Sequence, residues 1–390
     1  MKHPFAIVAL LAIAGLAAVS QLYLPLPLLP LIGRQFGLEP AAAGAALGAF
    51  SLAYAVGFLL FGPLSDRLGR KPVMVGGLLA LGIVTLLLSQ AATPAQLIAG
   101  RALQGLATAA FPPAALAYLA ESMPARLRLW ALAWLSTAFL LAGLVGQIYG
   151  GMAGQALGLA WTIALPCPIY LAAAWLLARL PREQRAAAGA SLGASYAGLF
   201  AVLRKPELRG VYAPALLLML CFMAFYLGLD RYQGSALRAA GLSPLATRAV
   251  AMPGFLMPLA VAVLLPRFGA QRMVSAGLAT AAAGLLLASC ADGLGLLLLS
   301  SVLFVAGVGI GVPSLIARTS ALADASWRGQ AVSLYTFLMF SGASLGPVLA
   351  QTMNGLRAST YFAALAMLMG GALLFSLPRS QSQAAAVKTH

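Results

Sequence analysis

The sequence predicts an all-α integral membrane protein with twelve transmembrane helices in two parallel six-helix repeats. Three observations carry that prediction. The 390 residues are 62% hydrophobic and only 8% charged, against roughly 25% charged in soluble domains, so the chain cannot cover a water-facing surface of its size. The apolar residues gather into twelve runs near the length of about 20 residues needed to cross hydrocarbon. Landmarks of the first half also return 200 positions later in the second.

In order, the runs lie near 5–32, 41–63, 73–91, 96–121, 129–151 and 157–178, then 211–231, 246–265, 273–291, 294–322, 331–352 and 359–377. The first begins like a secretory leader, with Lys2 and small residues at Ala17 and Ala18. It continues through Leu22, Leu24, Leu26, Leu28 and Leu31, so it is read as the first span. Between the second and third spans stands Gly62-Pro-Leu-Ser-Asp66-Arg67-Leu-Gly69-Arg70-Lys71-Pro72. Hydrocarbon does not accept these charges together, which makes the segment a surface turn. Residues 179–209 contain Arg179, Arg182, Arg185, Arg204, Lys205 and Arg209 and are read as a polar linker, with a short surface helix near 190–203. The expected organisation is a six-helix bundle over 1–178, the linker over 179–209, a second bundle over 210–378 and a tail over 379–390. Pro25, Pro27, Pro30, Pro112, Pro113 and Pro313 are expected to bend their helices.

The net charge of +16 does not point to nucleic acid, because the basic residues sit singly at the ends of apolar runs instead of on one face. They act as orientation signals. With the N-terminus inside, Lys2, Arg67, Arg70, Lys71, Arg126, Arg128, the six linker cations, Arg267, Arg272, Arg328, Arg379 and Lys388 are cytoplasmic. These are 17 of the 24 basic residues, and Arg34, Arg231, Arg238, Arg248 and Arg357 fall on the other side. The bias predicts that both termini are cytoplasmic, in a bacterial inner (plasma) membrane. Cys167, Cys221 and Cys290 stand alone in apolar sequence, and the two histidines, His3 and His390, are near the ends. No metal-ligand spacing, catalytic triad or phosphate-binding loop is present. An enzyme, an ATP-driven pump, a metal centre and a cofactor are therefore not expected.

Shifting the chain by 200 lays Arg67-x-Gly69 on Arg267-x-Gly269, Pro113 on Pro313, Arg128 on Arg328 and Gly146 on Gly346. The second copy of the charged turn has decayed, with Pro266 in the place of Asp66 and Ala270 in that of Arg70.

The pattern Gly62-x-Leu64-x-Asp66-Arg67-x-Gly69-Arg70-Lys71 closely resembles the loop between the second and third helices of major facilitator superfamily transporters, nearest the twelve-span drug:proton antiporter-like branch. The resemblance implies a latch of Asp66, Arg67, Gly69, Arg70 and Glu121. In it the acid caps a helix of the opposite half and the arginine pairs with an acid ending the fourth helix. Arg101-Ala-Leu-Gln104-Gly105 is similar to the fourth-helix motif of the same branch, where the arginine is linked to proton coupling. A structural hydrogen bond to neighbouring backbone is the alternative. Ala142-x-x-x-Gly146-Gln147-x-x-Gly150-Gly151 resembles the fifth-helix packing motif, but Gln147 stands where that motif has proline. The proline occurs in the other repeat, at Gly346-Pro347. This departure leaves uptake open beside export.

Seven of the eight acids lie at span ends or in loops, which leaves Asp230. It is either a proton site, together with Arg101, or a surface partner of Arg231. By analogy with the family, Gln21, Tyr23, Arg101, Gln104, Tyr226, Ser314 and Arg318 line the substrate cavity, and the excess of arginine over acid favours a small-molecule substrate with an anionic group. Met219 and Met223 could hold a soft metal but are read as core filler. The function implied is proton-coupled export of a small organic solute by a monomeric transporter embedded in the lipid bilayer. The alternatives are a proton-driven importer of a metabolite, siderophore or metal, and a non-transporting receptor or scaffold.

Overall fold

The computed structural model describes residues 4–180, 198, 201–324 and 327–377. Most of the expected surface helix at 190–203, and the tail over 379–390, lie outside the described residues. The first half comprises α1 (Pro4–Phe36), α2 (Pro40–Leu68), α3 (Arg70–Ser89), α4 (94–122), α5 (125–157) and α6 (159–178). The second comprises α7 (Pro206–Ala239), α8 (244–268), α9 (Ala270–Ser289), α10 (Leu294–Leu322), α11 (Arg328–Thr352) and α12 (Ala358–Ser376).

Among the described residues, nine stretches are long and apolar enough to cross a membrane as continuous helices. The other three spans hide behind prolines and one glycine. α4 is built from Pro94–Ala109 and Pro112–Ser122, broken where Pro112 and Pro113 supply no backbone N–H. α8 is built from Pro244–Val250, Met252–Phe255 and Met257–Phe268, with Pro253 and Pro258 at the breaks. α5 and α6 are joined through Gly158, at φ 75° and ψ 177°. The chain reverses there, since the Tyr149 hydroxyl donates to the carbonyl of Thr162 at 2.9 Å. The bend at Pro25 and Pro27 is a short 3-10 turn inside α1, Leu26–Leu28. Pro313, in contrast, sits within an uninterrupted α10.

Helix ends follow local chemistry. Thr93 opens α4 with a capping box, its hydroxyl accepting from Gln96 N at 3.2 Å while Gln96 Oε1 accepts from Thr93 N at 3.3 Å. Ser243 caps α8 by accepting from Ala246 N at 3.1 Å. Large apolar side chains such as Ile13, Leu52, Leu87 and Met367 remain outward-facing, as a lipid-facing belt requires.

The two-repeat architecture is visible atom by atom. α3 and α9 are each 20 residues long and begin after Gly69 (φ 99°, ψ 152°) and Gly269 (φ 80°, ψ 155°). Only glycine adopts this backbone without strain. In the first half Gly146 of α5 abuts the carbonyl of Ser20 in α1. In the second Gly346 of α11 abuts that of Leu220 in α7, where an added Cβ would lie 2.7 Å from the oxygen. Both partners are again 200 positions apart. The absent side chain lets helix backbones touch, which is the main source of affinity between helices in lipid.

Valine at Gly146 or Gly346 should therefore lower stability by about 1–3 kcal/mol through overpacking. Gly371→Val, where nothing lies within 4 Å, should stay within about 0.5 kcal/mol of wild type. Thermal unfolding in detergent measures both.

Candidate functional site

Three groups of polar residues stand out, and they lie in different places. The first is at the end of the bundle where the basic turns gather. The Gly69 turn brings Arg70 of α3 back onto α2, where it forms an ion pair with Asp66. Arg70 also reaches Glu121 of α4 at 3.0 Å and donates to the Ser65 hydroxyl at 2.7 Å. Asp66 stands against the first turn of α11, for a Cβ built on Gly329 would lie 3.2 Å from Asp66 Oδ2. One turn along, Gly62 faces Ser333, whose Cβ would be 2.9 Å from a Cβ at that position. Further into the membrane Tyr54 and Phe58 of α2 meet Phe340 of α11, with ring centroids 4.7 and 5.2 Å apart. α2 and α11 thus run antiparallel along the seam between the halves. Arg67 is exposed.

The second group is buried wholly in the first half. Arg101 of α4 is 3% exposed. Its guanidinium donates to the Gln104 side chain at 2.5 Å, the Gln21 carbonyl at 2.7 Å and the Ala46 carbonyl at 3.4 Å, and it lies 4.3 Å from the Phe50 ring centroid. Gln104 continues to Thr85 at 2.9 Å and to Gln21 Oε1 at 3.2 Å, and Gln21 Nε2 donates to the Tyr170 hydroxyl at 2.6 Å. Arg101 is therefore held by carbonyl and amide oxygens from α1, α2 and its own helix. This is the structural alternative raised by the sequence.

The third group corrects the sequence reading. Asp230 of α7 pairs neither with Arg231 nor with Arg101. It accepts from Arg248 of α8 at 2.6 Å, while Arg231 donates to the Ala350 carbonyl at 2.7 Å. Arg248, an outer-side cation in the sequence reading, lies in the first turns of α8 and is 8% exposed. Its guanidinium carbon is 5.2 Å from the Tyr226 ring centroid. Arg248 and Tyr226 line a cavity between the two halves, together with Phe222, Met223 and Pro347 from the second half and Tyr23, Leu47 and Gln147 from the first. The cavity measures about 20 Å³, room for about one water.

Three buried polar atoms on this cavity have no hydrogen-bond partner: Gln147 Oε1, the Tyr226 hydroxyl and Arg248 Nε. Gln147 is fixed by its other end, Nε2 donating to the Gly143 carbonyl at 2.6 Å. An acceptor from one half and a cationic donor from the other are thus left for something between them.

Of the expected cavity residues, only Tyr23 and Tyr226 line this space. Gln21 and Gln104 belong to the Arg101 group. Ser314 donates back to the Ile310 carbonyl at 2.6 Å, and Arg318 donates to the carbonyls of Ser376 at 2.7 Å and Gly210 at 3.4 Å. Gln147, expected to serve helix packing, also faces the cavity, while Gly150 and Gly151 pack toward Leu24 and Pro27 of α1. Met219 is core, and Met223 lines the cavity wall.

Residues 11–257, more than half of the chain, match the family model described as Major Facilitator Superfamily. The chain belongs to the major facilitator superfamily. The inner membrane transport protein YnfM of Escherichia coli (strain K12) is 34% identical over 152 residues, 39% of this chain and 36% of that protein. The cephamycin export protein CmcT of Amycolatopsis lactamdurans is 33% identical over 161 residues, 40% of this chain and 33% of its own length. The match thus spans about a third of the length of these curated relatives. Among solved structures, the human organic anion transporter MFSD10 (TETRAN) superposes with a TM-score of 0.77 over 95% of this chain and 99% of that one, at 20% identity. The proton:xylose symporter XylE gives 0.73 over 96% and 95%, at 14% identity. Both likenesses show the fold, that of a multi-pass membrane protein.

Removing the Arg101 guanidinium would leave the Gln21 and Ala46 carbonyls and the Gln104 side chain without that donor in a buried site. Arg101→Leu should cost about 1–3 kcal/mol in thermal stability, with Arg101→Lys recovering part of it. A cation serving only the transport cavity would give unchanged stability in the leucine variant.

Proposed function

We propose that this chain is a secondary active transporter that moves a small organic anion by alternating access and couples it to protons at the Asp230–Arg248 pair. The observation that carries this reading is the set of unpartnered atoms, Gln147 Oε1, the Tyr226 hydroxyl and Arg248 Nε, on one cavity between the halves. A ligand that satisfies them has an anionic or strongly accepting group for Arg248 and the tyrosine hydroxyl, and a hydrogen-bond donor for Gln147. A hydroxy acid is the simplest such molecule. Charge-assisted hydrogen bonds are about twice as strong as neutral ones, which makes the arginine the anchor. The organic anion and proton:xylose transporters that share the fold are in keeping with this reading.

The coupling follows from competition for one guanidinium. Ionised Asp230 already occupies Arg248, and a substrate carboxylate must share or displace it. A proton on Asp230 removes the competitor, so proton binding and anion binding strengthen each other. Cooperative binding of this sign carries proton and anion in the same direction, which favours uptake. Export in exchange for protons is the second reading. One observation favours it, the Arg101-Ala-Leu-Gln104-Gly105 segment of the antiporter-like branch. In that case substrate and proton exclude each other.

Asp66, Arg70 and Glu121 are proposed to form the cytoplasmic latch, with both termini on the same side by the distribution of basic residues. A carboxylate at a helix N-terminus stabilises by about 0.3–1 kcal/mol, weak enough to open in each cycle. The halves 1–178 and 210–378 would then rock about the α2–α11 and α5–α8 seams, joined by the linker 179–209.

One binding experiment separates uptake from exchange. Purified protein is screened by thermal shift against small carboxylic acids at two pH values, since a bound ligand stabilises the native state by mass action. The uptake reading expects an acid whose affinity rises as pH falls, by up to about tenfold per pH unit while Asp230 titrates. Asp230→Asn should bind it without pH dependence, and Arg248→Gln should not bind it. Affinity that rises with pH and needs Asp230 would support exchange and exclude the cooperative scheme.

A further inference from the structure

A recess larger than the central cavity lies elsewhere. It is a crevice of about 350 Å³ between α5 and α8, lined by Arg126, Leu129, Trp130, Ala133 and Trp134 on one side and Leu259, Ala262 and Val263 on the other. On both helices the lining residues are spaced three and four apart, so each presents one continuous stripe. From Arg126 to Trp134 is eight residues, about 12 Å of helix, close to the roughly 15 Å depth of one hydrocarbon leaflet. The crevice therefore starts at the basic end of the bundle and stops near the membrane midplane.

Its walls are apolar and braced. Phe5 of α1 packs edge-on against Trp130 at 5.0 Å, and Trp130 meets Trp134 at 6.2 Å. Trp134 and Val263 remain 42% and 59% exposed, which in this chain means exposed to lipid. Its mouth is cationic. Arg126 lines it, Arg128 follows on the same helix end, and Arg267 stands one turn beyond Val263 on α8; all three are exposed. Glu121, the acid nearest in sequence to Arg126, is bound to Arg70.

We propose that this crevice is a binding site for one anionic phospholipid, its acyl chain lying along Trp130, Ala133 and Val263 and its phosphate at Arg126. Charge complementarity selects this occupant. The groove ends at Arg126, with Arg267 one turn beyond Val263 on the facing helix, and basic pockets between transmembrane helices favour anionic headgroups. The lipid would wedge between the two halves at one of the seams where they meet. It would thus bias the conformational equilibrium without touching the substrate cavity.

The test uses the full chain in detergent, with Trp161, Trp175 and Trp327 changed to phenylalanine so that Trp130 and Trp134 report alone. Phosphatidylglycerol and phosphatidylcholine with brominated acyl chains are titrated, and tryptophan quenching is read. The expected result is saturable quenching at least several-fold tighter for phosphatidylglycerol. Arg126→Gln should erase that preference, and Ala133→Leu, which fills the groove, should reduce quenching by both lipids. Equal quenching by the two lipids, unaffected by Arg126→Gln, would overturn the proposal and leave ordinary bulk lipid contact. Absence of quenching together with a dimer in sedimentation would also overturn it, in favour of a second copy of the chain on this face.

Discussion

Hydrocarbon leaves no polar group unbonded at low cost, and that constraint organises the molecule. Much of it is resolved within each half. The Arg101–Gln104–Gln21–Tyr170 chain closes within the first bundle, and Arg318 closes on backbone carbonyls within the second. A half whose buried polar groups are satisfied by its own helices gains rigidity, because moving any one helix would strand a donor or acceptor. Glycine contacts such as Gly146 on Ser20 and Gly346 on Leu220 add close backbone packing inside the same units.

The seam between the halves is made differently. Tyr54 and Phe58 stack on Phe340, and Gly62 lies against Ser333. These are contacts of shape and dispersion, which can re-form in a second register at little cost. Asp66 at the start of α11 adds a charged contact at the rim, where partial exposure keeps it weak. Rigid halves joined by a soft seam are what alternating access requires. Gln147 Oε1 of the first half and Arg248 Nε of the second, both without a hydrogen-bond partner, lie on the cavity between the halves.

Much of this was legible in the sequence because it rests on local rules. Length and hydropathy placed the spans, and a fixed offset of 200 exposed the repeat. The crowding of charge at 62–72 marked a turn whose backbone repeats at Gly69 and Gly269. What escaped notice depends on rotation about a helix axis, which spacing alone does not fix. Arg248 reads as an outer-side orientation signal because it stands only two residues inside the apolar run 246–265; as a charge within a span it carries the same signal as Arg101. Gln147 showed itself only as a departure from a packing motif, and the departure faces the cavity. Ser314 and Arg318 sit on the expected helix but are turned toward their own bundle.

The rigid-halves account is tested most directly by distances between spin labels. With exposed Cys290 replaced by serine, one label pair is placed at the basic end, at exposed Leu68 and Leu322, and another at the opposite end, at exposed Gln90 and Asp292. Leu68 with Arg128 serves as a pair within one half. The account predicts two discrete populations for each cross-half pair, the basic-end distance lengthening as the opposite one shortens. Asp66→Asn should shift the balance toward the open basic end while the pair within one half stays constant. A single unchanging distance at both ends, or movement within the half, would contradict it.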